Sequence, residues 1–198
     1  MPHNNYLPTT DDLGTPSDRI TSLNKRDPDP DGKYVLYWMT AFRRPQFNYA
    51  LQLAVEWSNQ LNKPLLIFEG LQANYRWSSR RFHQFIVDGM KNNASAAQLA
   101  DTAYYPYVEP APGDGKGLIR DLATEACLVV TDDYPCFFLP ALKRYAQGLS
   151  TCSLAVDSNG ILPLSASPKI YTTAYSFRRF LQKTLPPHLT TRPLETPL

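Results

Sequence analysis

The segment that most constrains the fold is a strand–helix–strand unit at residues 33–70. Two short apolar runs, at residues 34–39 and 65–68, flank a longer stretch with a helical repeat. The residues that recur at helical spacing are Leu51, Ala54, Val55, Ser58 and Leu61. Neither run alternates apolar and polar residues, as is typical of parallel strands that are covered on both faces. The unit therefore predicts two parallel strands joined by a right-handed helical crossover.

The same unit repeats along the chain. Helices are predicted at residues 79–92, 94–100, 118–126 and 139–148, and strands at residues 103–108, 127–133 and 152–156. Pro106 lies inside the third strand and has no N–H to donate, so this strand is expected at an edge of the sheet or at a bulge. The order predicts the α/β class: a doubly wound, mostly parallel five-stranded Rossmann-like sheet with helices on both faces.

Two segments lie outside this core. Residues 1–32 are polar and rich in Pro, Asp, Thr and Asn, so we expect a disordered or loosely docked tail with one helical turn. After the fifth strand, an aromatic helix is predicted at residues 171–185, ended by two prolines. We therefore expect an α/β domain at residues 33–168, and at residues 169–198 a connector helix and linker toward a domain outside the chain.

Composition excludes several classes of protein. The formal net charge is only +2, which argues against non-specific binding of nucleic acid by charge alone. Cys127, Cys136 and Cys152 form no CxxC pair, which predicts reduced thiols in a cytoplasmic protein, without a disulfide framework or a zinc site. The N-terminus does not resemble a signal peptide, and no apolar run approaches membrane-spanning length.

Catalytic motifs are absent from the sequence. Neither the GxSxG elbow of hydrolases nor the GxGxxG turn of dinucleotide-binding proteins occurs. The sequence GDGKG at residues 113–117 resembles a phosphate loop, but Pro110 and Gly117 stand where the Walker pattern requires glycine and Ser or Thr. We expect a flexible loop that caps the following helix.

A ligand site is expected where the parallel strands end, because doubly wound sheets bind ligands outside the carboxyl ends of their strands. The side chains at these ends are Trp38, Met39, Thr40, Glu69, Asp132 and Asp133. Trp38 and Met39 could stack on a flat ring, and Asp132 or Asp133 could accept hydrogen bonds from the ligand. The alternative is that Trp38 and Met39 belong to the core and that the aspartates only begin a turn before Pro135.

Five segments in register resemble one known family. They are VLYWMTAFRRPQFNYALQLAVEW, RRFHQFIVDGMKN, LVVTDDYPCFFLP, AVDSNGILPLSAS and SFRRFLQKTLPPHL, and together they span residues 33–189. Their order and spacing resemble the N-terminal α/β domain of the DNA photolyase/cryptochrome family, in the style of class II deoxyribodipyrimidine photolyases.

The resemblance implies a function in light-driven DNA repair. Members of the family use reduced FAD to split cyclobutane pyrimidine dimers, and many hold an antenna chromophore, a deazaflavin or a folate, in the α/β domain. FAD and UV-damaged DNA bind in a separate helical domain, which we expect to lie outside this chain. The six side chains at the strand ends would then surround the antenna chromophore, and this chain alone would lack the catalytic domain.

Two other functions remain open. The chain could be a stand-alone, non-catalytic α/β binding module or a cryptochrome-like remnant, or an independent nucleotide-binding domain. The last is disfavoured because TAFRRP, not a glycine-rich turn, follows the first strand. The predicted aromatic helix would distinguish a photolyase domain from a stand-alone module. Phe177 and Phe180 would pack between domains in a photolyase, whereas in a stand-alone module they would form an exposed apolar patch.

Overall fold

Residues 13–198 are described by the computed structural model of the chain, and six strands in that range form one sheet. The strands are β1 (Ile20–Ser22), β2 (Tyr34–Met39), β3 (Leu65–Leu71), β4 (Ala103–Val108), β5 (Ala126–Asp132) and β6 (Ser153–Val156). The α-helices of the same range are α1 (Tyr49–Leu61), α2 (Arg80–Leu99), α3 (Leu118–Thr124), α4 (Leu139–Gln147) and α5 (Ala174–Thr184). None of these helices is long and apolar enough to cross a membrane.

The sheet is doubly wound. Its strand order is β1-β6-β5-β2-β3-β4, and all neighbours pair in parallel except β1, which pairs antiparallel with β6. The chain runs outward from β2 to β4 and then crosses back to β5, so the order reverses between β2 and β5. The predicted parallel α/β sheet is confirmed, and β4, which carries Pro106, lies at the predicted edge.

The sheet has one strand more than the five predicted. The additional strand is β1, which lies in the segment expected to be a disordered tail, whereas residues 1–12 of that segment fall outside the described residues. Only three residues pair with β6, too few to give a readable periodicity. The buried guanidinium of Arg19, beside the strand, donates to the carbonyls of Asp157 (3.2 Å) and Ile161 (2.6 Å).

Two predicted helices are a single one. The stretches expected at residues 79–92 and 94–100 form the continuous helix α2, because no glycine or proline interrupts the segment between them. Ser79 caps this helix, and its hydroxyl accepts a hydrogen bond from the N–H of Phe82 (3.3 Å).

Strand β2 is buried on both faces, which explains why its sequence is continuously apolar. Tyr37 and Met39 face a cluster that includes α1, whereas Leu36 and Trp38 face a cluster that includes residues of α3 and α4. The predicted helices on both faces are therefore confirmed. Because β2 lies at the centre of the sheet, the turn that follows it enters the region where the strand order reverses.

Asn48 fixes this turn to the start of α1. It is fully buried, and its side-chain oxygen accepts hydrogen bonds from the N–H groups of Ala50 (3.0 Å) and Leu51 (3.1 Å). Its amide nitrogen donates to the hydroxyl of Tyr37 (2.9 Å) and to the carbonyl of Phe42 (3.0 Å). One side chain thus caps α1 and holds the turn against β2.

Replacing Asn48→Ala is expected to lower the free energy of unfolding by about 2–4 kcal/mol, because it removes a helix cap and leaves buried polar groups without partners. Urea denaturation followed by circular dichroism measures the change. Asn59→Ala, at an exposed position of the same helix, is the control and should change stability by less than about 0.5 kcal/mol. Equal effects of the two substitutions would contradict this role of Asn48.

Candidate functional site

A crevice of about 850 Å³ opens at the carboxyl ends of β2, β3 and β4, on the side of the sheet that carries α3 and α4. It adjoins the point where the strand order reverses, which is where doubly wound sheets bind ligands. Its volume falls in the range of small-molecule sites, roughly 300–1,000 Å³. The crevice is therefore the candidate site.

Eight aromatic side chains from the described range line the crevice. They are Trp38, Phe68, Tyr75, Tyr107, Tyr134, Phe137, Phe138 and Tyr145. Trp38 and Tyr145 contact each other edge-on, with ring centres 6.2 Å apart and planes at 75°. Tyr75 and Phe138 pack with ring centres 6.0 Å apart and planes at 44°. Such a wall offers both ring faces and ring edges to a flat apolar ligand.

Three of the six predicted site residues line the crevice. Trp38, Met39 and Thr40 contribute to its wall, although each is less than a tenth exposed. The carboxylates do not line it: Glu69 and Asp132 are buried below the surface. Asp133 is paired with the ammonium of Lys143 on α4 (2.5 Å). The structure thus brings together the β2 residues and leaves the predicted acceptors outside the crevice wall.

The carboxylate of Asp132 holds the turn that follows β2. One oxygen accepts hydrogen bonds from three successive N–H groups, those of Thr40 (2.8 Å), Ala41 (2.7 Å) and Phe42 (3.1 Å). The other accepts from the hydroxyl of Tyr37 (2.9 Å). Burial raises the pKa of Asp132, and these hydrogen bonds act in the opposite direction. All of these donors belong to the protein, so the side chain supports the crevice from beneath.

Glu69 plays a similar part under the opposite wall. Its carboxylate binds the guanidinium of Arg43 (3.0 Å), the amide of Asn93 (2.8 Å) and the hydroxyl of Tyr104 (2.6 Å). Burial and the adjacent carboxylate raise the pKa of the Tyr104 phenol. Arg43 also donates to the carbonyl of Gly70 (2.9 Å), and it lines the crevice. A buried acid therefore fixes the position of a cation on the crevice wall.

The glycine-rich segment at residues 109–117 forms another wall, although its sequence predicts only a flexible cap. The carboxylate of Glu109 accepts hydrogen bonds from the N–H groups of Ala73 (2.8 Å), Gly113 (2.9 Å) and Gly115 (3.4 Å). Gly113 and Gly117 adopt φ values of 99° and 95°, which suit glycine. The glycines indicate a loop in the sequence, but nothing in the motif shows that this loop wraps around the carboxylate of Glu109.

The chain is similar to two curated proteins. It is 30% identical over 174 residues to the deoxyribodipyrimidine photo-lyase of Methanothermobacter thermautotrophicus, covering 85% of this chain and 38% of the relative. It is 29% identical over 170 residues to the deoxyribodipyrimidine photo-lyase of Arabidopsis thaliana, covering 82% of this chain and 34% of the relative. The chain thus spans little more than a third of the length of either relative. No family model matches the chain.

Solved structures of universal stress proteins are also similar to the chain. The protein from Archaeoglobus fulgidus has a TM-score of 0.43 and 11% identity, covering 62% of this chain and 98% of its own. A universal stress protein in complex with cAMP has a TM-score of 0.39 and 17% identity, covering 65% of this chain and 99% of its own.

The hydrogen bonds accepted by the Glu109 carboxylate predict that the free energy of unfolding depends on pH. The N–H groups of Ala73 and Gly113 hold the pKa of Glu109 below its ordinary value. Its contribution is therefore complete above the unfolded-state pKa of about 4.3 and is lost as the pH falls through the lower folded-state value. The stability advantage of the native chain over Glu109→Gln should be constant above about pH 5 and shrink below about pH 4.

Urea unfolding at a series of pH values measures this difference. Glu195→Gln, the same substitution at an exposed position near the C-terminus, is the control and should match the native chain throughout the range. If Glu109→Gln is less stable than the native chain by the same free energy at every pH, the ionised carboxylate has no such role.

Proposed function

We propose that this chain is the N-terminal α/β domain of a deoxyribodipyrimidine photolyase-like protein, of the class II type. The observation that carries the proposal is the identity of 30% and 29% to two proteins of that name, each over more than four fifths of this chain. The class II assignment rests on the sequence around β2, where VLYWMTAFRRPQFNYALQLAVEW resembles that class.

We further propose that the crevice holds an antenna chromophore, a deazaflavin or a folate. Its volume of about 850 Å³ suits a molecule of that size, and its aromatic wall suits a flat conjugated ring. Trp38, Met39 and Thr40 would contact the ring from the sheet. Transfer of excitation energy requires a ring held in a fixed orientation and needs no acid or base, which agrees with a site whose carboxylates brace its walls.

The repair reaction itself is assigned to the full-length protein. There a helical domain would bind reduced FAD and the UV-damaged DNA, and the flavin would supply the light-driven electron that splits a cyclobutane dimer. In this proposal the α/β domain collects light and passes the excitation energy to the flavin.

Helix α5 supports a role as the connection to such a domain. None of its residues is buried, and its aromatic side chains cluster with Tyr171, which stacks on Phe180 with ring centres 4.9 Å apart. Phe177 lies 6.3 Å from Phe180 and is 43% exposed. We propose that the helical domain of the full-length protein covers this aromatic cluster, as the length of the relatives suggests.

Antenna binding can be tested on the purified chain. Titration with a deazaflavin and, separately, with a folate, followed by chromophore fluorescence, should give saturable binding of one of them. Tyr107→Ala removes an aromatic face from the wall and should weaken that binding by about tenfold.

The matched control is Tyr175→Ala, which removes an exposed tyrosine of α5 that does not line the crevice. It should bind like the native chain. Failure of both chromophores to bind at concentrations up to about 1 mM would reject the antenna proposal. An equal loss in both variants would place the chromophore elsewhere.

Exposure of the aromatic cluster predicts self-association of the isolated chain. Sedimentation velocity over a concentration series should show oligomers, and the double substitution Phe177→Ser and Phe180→Ser should shift the chain toward monomer. Leu99→Ser, at an apolar position of α2 that is 92% exposed, is the control and should leave the distribution unchanged. A native chain that stays monomeric and binds no hydrophobic dye would argue against a covering domain.

A further inference from the structure

One side of the crevice carries two cations that no acid within residues 13–198 pairs with. Lys116 and Arg120 both line the crevice and are exposed. Within residues 13–198, neither side chain forms a hydrogen bond or a salt bridge. They lie four positions apart, across the start of α3.

The other charged groups of the crevice wall are already engaged. Arg43 is paired with Glu69 beneath the wall. Glu109 is the one carboxylate among the described residues that line the crevice, and backbone N–H groups of the adjacent loops occupy both of its oxygens. With Arg43 paired to Glu69, Lys116 and Arg120 give the wall two cations against the single carboxylate of Glu109. This excess of positive charge favours a ligand with a negative group.

The cations adjoin the aromatic part of the wall. The guanidinium of Arg120 lies 5.9 Å from the centre of the Tyr145 ring, which also lines the crevice. A ligand whose ring packs near Tyr145 would thus bring a short attached tail within reach of Arg120. Helix α3 has only seven residues, so we assign the affinity for an anion to the two side chains and not to the helix dipole.

We infer that the ligand of the crevice is an anionic aromatic molecule, whose ring packs on the aromatic wall and whose phosphate or carboxylate tail binds Lys116 and Arg120. The inference rests on the proposed chromophore site and adds to it a charge requirement. It distinguishes the two parts of the site: the aromatic side chains recognise the ring, and the two cations select for the tail.

The test compares two forms of one ring that differ only in the anionic group. For a deazaflavin, the pair is the form with a neutral sugar-alcohol side chain and its phosphate ester. For a folate, the pair is the pterin–aminobenzoyl amide without and with its glutamate tail. Fluorescence titration at low salt should show about tenfold tighter binding of the anionic form. That advantage should shrink as salt is added.

The double substitution Lys116→Ala and Arg120→Ala should abolish the advantage, so that the variant binds the neutral and anionic forms with equal affinity. The control is the double substitution Arg178→Ala and Lys183→Ala, which removes the same charge from exposed positions of α5. The control should keep the tenfold advantage.

The outcomes separate this inference from the proposal on which it rests. Equal affinity for the neutral and anionic forms, in a chain that binds both, would overturn the charge requirement and leave the chromophore site intact. Tighter binding of the anionic form that persists after Lys116→Ala and Arg120→Ala would also overturn the charge requirement. Failure of every form to bind would reject the chromophore site and this inference together.

Discussion

The crevice depends on the hydrogen bonds between the carboxylate of Asp132 and three successive N–H groups after β2. The N–H groups of the turn after β2 no longer pair with a neighbouring strand, and backbone N–H groups in a largely buried turn need other acceptors. The neighbouring strand β5 supplies a carboxylate at that point, and Tyr37 and Asn48 complete the arrangement. The chain can then turn sharply away from the sheet, which opens the space that the crevice occupies.

Two other carboxylates hold the walls of the crevice by accepting hydrogen bonds from protein donors. Glu69 holds Arg43 from beneath, and Glu109 gathers the N–H groups of two loops. Each acid is engaged by donors of the protein, so the carboxylates serve to fix walls. Among the described residues, the crevice thus combines aromatic side chains in its lining with carboxylates that the protein itself engages, which agrees with the proposed chromophore. The charge left for recognition is positive and lies with Lys116 and Arg120.

Much of the fold could be predicted from sequence because β2, β3 and β5 are long, apolar and buried on two faces. The strand β1 could not, since three residues carry no period and its pairing with β6 is a tertiary contact. The rule of strand ends pointed to Trp38, Met39 and Thr40, which line the crevice. The same rule also pointed to Asp132 and Glu69, which are buried and do not line the crevice. The sequence could not reveal this, because it does not show which donors a buried acid meets once the chain folds.

The two margins of the sheet share a property that bears on how this chain behaves in concentrated solution. At one margin lies β1, a strand of only three residues, and at the other lies β4, where Pro106 offers no N–H. Neither offers a foreign strand a long continuous row of donors and acceptors on which to extend the sheet. Amyloid-like growth is therefore disfavoured at both sides, and contacts between copies are left to the helices and their aromatic side chains.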